Sequence, residues 1–283
     1  MSKPYTIGRY TILLPPDHPL DRYQENWRRY DTALGYIAQV VFQKYANSTA
    51  IDIGANVGDS AALIRSYADI PVLCIEGNPE FLEYLEHNAG TIGNIELAAC
   101  FIGQDGEVVD LDQIVSERGT ASIAPAATTE QPVWFIEMHS LNSILQLYPS
   151  FQTAKLLKID TDGFDFTIIQ TSVDVLSQLQ PILYFEYDIS FNSQGDLESL
   201  ATIQQLVEIG YQHFIVYDNF GNYVMSGSGD VVPIFRDLNT CLLSNRQKSG
   251  TPTIYYWDIC AFTPADTDLF EQIRTYEYEF VRG

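Results

Sequence analysis

The stretch Thr49 to Ser60, T-A-I-D-I-G-A-N-V-G-D-S, constrains the fold more than any other. Ala50, Ile51 and Ile53 read as the end of a buried strand. Gly54 to Gly58 is a turn of small residues, and Asp59 or Ser60 is placed to cap a helix running through Ala61, Leu63 and Ile64. Strand, glycine turn and helix start, in that order, make a ligand-binding corner of an open α/β sheet, because such turns lie at the carboxyl ends of strands. Gly54 lets the backbone approach a ligand, and Gly58 lets helix and strand pack closely.

The spacing selects among ligands. A dinucleotide turn needs G-x-G-x-x-G, whereas Gly54 and Gly58 are spaced G-x-x-x-G. A P-loop ends in Lys, and here Asp59 stands instead. Asp52 precedes the turn; a carboxylate repels a pyrophosphate and attracts an ammonium group. A nucleoside with an amino-acid tail and no phosphate fits better, and S-adenosylmethionine is such a ligand. The next apolar run, Pro71 to Ile75, ends in Glu76, which lies 22 residues after Gly54. That is close to the ~20 residues at which an acid meets ribose hydroxyls in nucleotide-binding βαβ units. Gly77-Asn78-Pro79 then ends the strand and starts a helix. The donor-site candidates are Asp52, Gly54, Asn56, Gly58, Glu76 and Asn78.

Three segments, D-I-G-A-N-V-G-D-S, C-I-E-G-N-P and L-K-I-D-T-D-G-F-D, resemble the FkbM family of S-adenosylmethionine-dependent methyltransferases. The resemblance runs from about Ile51 to Tyr187. It implies an α/β, Rossmann-like class I methyltransferase fold. The expected sheet has about seven strands, mostly parallel with the last antiparallel, and carries an N-terminal lid segment. The implied activity is methylation of a hydroxyl on a sugar or secondary metabolite. Two departures stand out. Glu76-Gly77-Asn78-Pro79 replaces the family's usual E-P, and Asp160-Thr161-Asp162-Gly163 replaces D-x-E-G, shortening one acid by a methylene.

Composition narrows the partners. With 15 Lys and Arg against 37 Asp and Glu, the net charge is -22, which argues against nucleic acid and anionic membranes. No apolar run approaches the ~18 residues of a membrane span. The start of the chain lacks the apolar core of a secretory signal. Cys74, Cys100, Cys241 and Cys260 show no metal or redox spacing, which fits buried thiols of a cytoplasmic protein. Length and the absence of a long linker suggest one domain, with residues 1–48 as lid and pre-sheet helix and 49–283 as core.

Along the chain, residues 5–14 read as a strand or ribbon and 30–45 as a helix. His18, Tyr23 and Trp27 lie between them, where they either line an acceptor pocket or serve packing. Strands are expected at 49–53, 71–76, 94–101, 155–160, 181–187, 211–217 and 253–262. Helices are expected near 59–68, 79–89, 141–147, 164–172, 196–209, 232–243 and 266–275. Repeated βαβ units imply a parallel sheet with right-handed crossovers. Residues 105–138 break the rhythm and suggest a small antiparallel insertion with a loop, A-P-A-A-T-T-E-Q-P. His139 and His213 read as structural, and Asn142 as ordering local backbone.

Asp160, Asp162 and Asp165 follow one buried strand, while Glu186 and Asp188 end the next. If the strands are neighbours, these acids meet at the sheet's carboxyl edge. Three roles stay open. Asp160 and Glu186 can share a Mg²⁺ ion, since hard cations take oxygen ligands, an arrangement that resembles the catechol-type O-methyltransferases. One of Asp160, Asp162 and Glu186 can be a general base. Or the acids cap helices and bond backbone amides. Two other functions also stay open, a dehydrogenase and a non-catalytic methyltransferase-like binding protein. Neither the acceptor nor the oligomeric state is legible.

Overall fold

The structure is a computed structural model that describes residues 2–110, 114–117, 120–123, 135–191, 193–247 and 253–282. The chain opens with an antiparallel hairpin, β1 (Lys3–Ile7) and β2 (Tyr10–Leu14), followed by helices α1 (Leu20–Asn26) and α2 (Thr32–Lys44). The βαβ region then runs β3 (Ala50–Ile53), α3 (Asp59–Tyr67), β4 (Val72–Glu76), α4 (Pro79–Ile92) and β5 (Ile95–Ala99). Short strands follow: β6 (Phe101–Ile102), β7 (Val108–Asp110), β8 (Ile114–Glu117), β9 (Thr120–Ile123) and β10 (Phe135–His139). The chain continues through α5 (Leu141–Leu147), β11 (Leu156–Ile159), α6 (Asp165–Thr171), α7 (Val173–Leu179), β12 (Ile182–Tyr187) and α8 (Gly195–Glu208). It ends with β13 (His213–Asp218), β14 (Tyr223–Ser228), α9 (Val232–Gln247), β15 (Trp257–Phe262) and α10 (Thr267–Arg282).

Eight strands form the main sheet in the order β14-β13-β15-β12-β11-β3-β4-β5. The strands from β12 to β5 run parallel. β15 is antiparallel to both its neighbours, as the expected last strand should be. The eighth strand is β14, in a region that reads as a Gly- and Asn-rich loop. It is an edge strand with no fully buried residue, so its sequence carries no apolar run to announce it. Helix α1 is equally quiet, with Leu20 as its one buried residue. In the insertion, β10 pairs antiparallel with β7 and parallel with β6, and β8 and β9 form a hairpin. The loop at 124–132, with Leu111, Val133 and Trp134, lies outside the described residues.

The pleat decides what each face carries. On β3, β11 and β12, odd-numbered Ile51, Ile53, Leu157, Ile159, Leu183 and Phe185 feed one apolar cluster. Even-numbered Ala50, Leu156, Ile182 and Tyr184 feed the cluster on the opposite face, with α2, α3 and α10. Period-two alternation therefore sends Asp52, Lys158 and Glu186 to the same face as one another, toward the N-terminal segment. In register, Lys158 stands beside Asp52 on β3, and Glu186 beside Asp258 on β15.

Candidate functional site

Gly54 opens the site. Its φ is +76°, and a Cβ there would lie 1.8 Å from the Asp160 carbonyl oxygen, so only glycine lets the ends of β3 and β11 approach this closely. The turn continues through Asn56 in a left-handed conformation, φ +49°. Its N–H donates to Glu76 Oε2 at 2.8 Å, while the Asn78 N–H donates to Glu76 Oε1 at 2.7 Å. Burial pushes the Glu76 carboxyl up, against the pull of these backbone amides. Gly58, at φ +86°, rather than Asp59 or Ser60, is the N-cap of α3, and Asp59 occupies the first turn. Asn78 caps α4, its side chain accepting from the Glu80 N–H at 3.0 Å.

Two cavities meet over this edge. The first is walled by Ile75, Phe81, Phe101, Met138 and Phe164, with Glu76 at its rim. The second opens on the other face of the sheet, beneath α1 and the start of α2, and is lined by acids and tyrosines. Gly54, Asn56, Asp160 and Asp162 border both. Of the donor candidates, Gly54, Asn56 and Glu76 line the first cavity, and Asp52, Gly58 and Asn78 do not. Asp160, Asp162 and Glu186 all line the second. His18 and Tyr23 do too, whereas Trp27 lies outside it, packed on Phe220 with ring centroids 4.6 Å apart. His213 is structural: its ring nitrogens meet Ser228 Oγ at 2.8 Å and Thr267 Oγ1 at 2.9 Å.

Lys158 organises the acids. Its Nζ lies 3.3 Å from Asp52 Oδ1 and 3.2 Å from Asp160 Oδ2. Burial would depress this ammonium, but Asp160, Asp52 and Asp59 outweigh it and hold its pKa well above the usual lysine value. About half of the Asp160 side chain faces the open cavity. Its surroundings alone would raise its carboxyl; Lys158 and a hydrogen bond with Glu186 instead hold it below the usual range. Burial, then Asp160, Asp165 and Asp162, push the Glu186 carboxyl well up, and it shares a hydrogen bond with Asp160. Burial and Asp160 raise Asp165 to about 7; Thr161 Oγ1 donates to it at 3.1 Å.

The Mg²⁺ reading of Asp160 and Glu186 gains no support from this arrangement, in which Lys158 Nζ lies 3.2 Å from Asp160 Oδ2. Among the described residues, no group of three or more His, Cys, Asp or Glu is arranged to hold a metal.

Lys158, Asp31, Asp59, Tyr30 and Tyr256 line the second cavity without having been singled out as site residues. Lys158 left a signal, since a lysine within a fully buried strand demands a partner. Asp31, Tyr30 and Tyr256 left none, because irregular segments bring them there.

The chain matches the methyltransferase FkbM domain over residues 52–213, more than half its length. No curated protein sequence matches it. Among solved structures it is similar to a methyltransferase FkbM from Methylobacillus flagellatus KT, at 15% identity and a TM-score of 0.45. That alignment covers 76% of this chain but 44% of the other, so this chain spans under half of that protein. It is also similar to a precorrin-6y C5,15-methyltransferase from Geobacter metallireducens GS-15, at 11% identity and TM-score 0.38, covering 80% and 86% of the two chains. A third is the Methanococcus jannaschii fibrillarin pre-rRNA processing protein, at 10% identity and TM-score 0.43, covering 93% and 83%.

Proposed function

Because the chain belongs to the FkbM methyltransferase family, we propose that it transfers a methyl group from S-adenosylmethionine to a hydroxyl oxygen of a small molecule. One observation carries this reading: an apolar cavity rimmed by Glu76 and an acidic cavity on the other face of the sheet share one border, at Gly54, Asn56, Asp160 and Asp162. A donor in the first and an acceptor in the second would meet at that border.

S-adenosylmethionine supplies, when bound, an electrophilic methyl group on a sulfonium. Glu76, fixed by the Asn56 and Asn78 amides, keeps lone pairs for ribose hydroxyls. Phe81 and Phe101 offer apolar surface to a flat base. At the border, Asp160 is held ionised and below its usual pKa, so it orients an acceptor hydroxyl rather than removing its proton. Asp162, which also borders both cavities, takes the proton of the acceptor hydroxyl. Glu186 holds Asp160 in place from behind, and residues 1–48 serve as the lid. A sugar or secondary metabolite fits the hydroxyl acceptor. The net charge of -22 disfavours nucleic acid and anionic lipid as partners.

Calorimetry tests the donor site. S-adenosylmethionine and its demethylated product should bind, and NAD should not. Glu76→Ala should weaken donor binding by roughly 1.5–3 kcal/mol, the range for charge-assisted hydrogen bonds. Unchanged affinity would remove Glu76 from the ribose. Asp162→Asn should lower turnover far more than donor affinity; loss of donor binding alone would move Asp162 into the donor site.

A further inference from the structure

Asn88 is wholly buried on α4. Buried amides are costly unless bonded, so the partners of this one are informative. Asn88 Oδ1 accepts from the Leu13 N–H at 2.8 Å, and Nδ2 donates to the Leu13 carbonyl at 2.9 Å. Nδ2 also donates to the Val57 carbonyl at 2.8 Å. Leu13 stands opposite Pro4 in the β1–β2 hairpin, a residue with no N–H, and both its backbone groups go to Asn88. Val57 lies in the donor turn, between Asn56 at φ +49° and Gly58 at φ +86°. Glycine at 58 accepts either orientation of the Val57–Gly58 peptide, so the carbonyl needs an outside partner to hold it. The same face of α4 closes on Gly58, where a Cβ would stand 2.9 Å from Leu85 Cδ1. One side chain thus ties the N-terminal hairpin to the turn whose Gly54 and Asn56 border both cavities.

We propose that Asn88 is a positioning residue for the methyl donor: it fixes the Val57 carbonyl and so the donor turn, and it couples donor binding to the order of the β1–β2 hairpin. The proposal rests on the methyltransferase reading above and adds a role for residues 3–14, which line neither cavity. By linkage, a ligand that steadies the turn steadies Leu13, and a hairpin held at Leu13 steadies the turn. A second anchor of the hairpin serves for comparison. Ser66 Oγ, on α3, lies 3.4 Å from the Ile7 carbonyl oxygen and accepts from the Arg9 N–H at 3.3 Å; it also donates to the Ala62 carbonyl at 2.8 Å. None of these partners lies in the donor turn, so this anchor holds the hairpin without reaching the donor.

Hydrogen exchange and calorimetry on the full chain with S-adenosylhomocysteine, the demethylated donor, test the coupling. In the parent protein the ligand should slow amide exchange across residues 10–14, although these line neither cavity. Asn88→Ala should weaken ligand binding at least about fivefold, the lower end of coupling between sites, and abolish that slowing. Ser66→Ala should speed exchange in the hairpin and leave ligand affinity unchanged. Faster hairpin exchange in Asn88→Ala at unchanged affinity would make Asn88 a packing residue and overturn the proposal. Equal loss of affinity in Ser66→Ala would overturn it too, since any loosening of the hairpin would then suffice. So would exchange across 10–14 that ignores the ligand in the parent protein, a measurement that decides the matter even if Asn88→Ala does not fold. Failure of S-adenosylhomocysteine to bind the parent protein would instead overturn the methyltransferase reading.

Discussion

Asp165 shows how one side chain links the site to stability. Burial and the Asp160 charge raise its carboxyl to about 7, whereas in an unfolded chain it would titrate near 4. Between those values the folded protein binds more protons than the unfolded one. Stability from this group is therefore complete below about pH 4 and is lost as pH rises through about 7. Asp165→Asn cannot titrate, so its stability should fall less than the parent's over that window. Denaturant unfolding at a series of pH values measures the difference. Parallel pH profiles for the two proteins would mean that the Asp165 carboxyl is not raised. The side chain could be placed after a strand from sequence, but its burial could not, because the Asp160 carboxylate that shifts it reaches it only through the folded turn.

At the scale of elements, the N-terminal segment is tied to the end of the chain. Arg29, between α1 and α2, pairs with Glu277 of α10, and the Glu277 side chain is 1% exposed. The Arg29 guanidinium also lies 4.2 Å from the centroid of the Phe280 ring. Gly221 makes room for this segment, since a Cβ there would stand 2.1 Å from the Arg29 carbonyl oxygen. Glu277→Ala leaves a largely buried guanidinium without its anion, which should cost about 3–5 kcal/mol. Because Tyr30 and Asp31 follow directly, amide exchange across 20–31 should accelerate in that variant. Unchanged exchange there, with an unchanged Tm, would show that α10 does not hold the N-terminal segment. Sequence periodicity announces α2 and α10 separately; nothing in it pairs residues 248 positions apart.

At the scale of the whole molecule, the sheet edge is an acidic field with an internal cation. Since the Lys158 ammonium supplies that cation, methyl transfer should persist in excess chelator and should not rise when Mg²⁺ is restored. Activity lost to chelator and recovered with Mg²⁺ would return Asp160 and Glu186 to the role of metal ligands. No helix among the described residues is long and apolar enough to cross a membrane. What the sequence determined by itself was the local grammar. Glycine spacing, buried strand runs and the acids at strand ends follow from interactions within a few residues, so the donor turn, the parallel strands and the Asp160 to Glu186 cluster were legible. What tertiary structure decided was pairing across distance. Strand order puts Lys158 between Asp52 and Asp160, edge position lets β14 form without an apolar run, and irregular backbone brings Asp31 to the cavity that Asp59 also lines. Those arrangements depend on which surfaces meet once the two faces of the sheet are covered, and no local pattern encodes that.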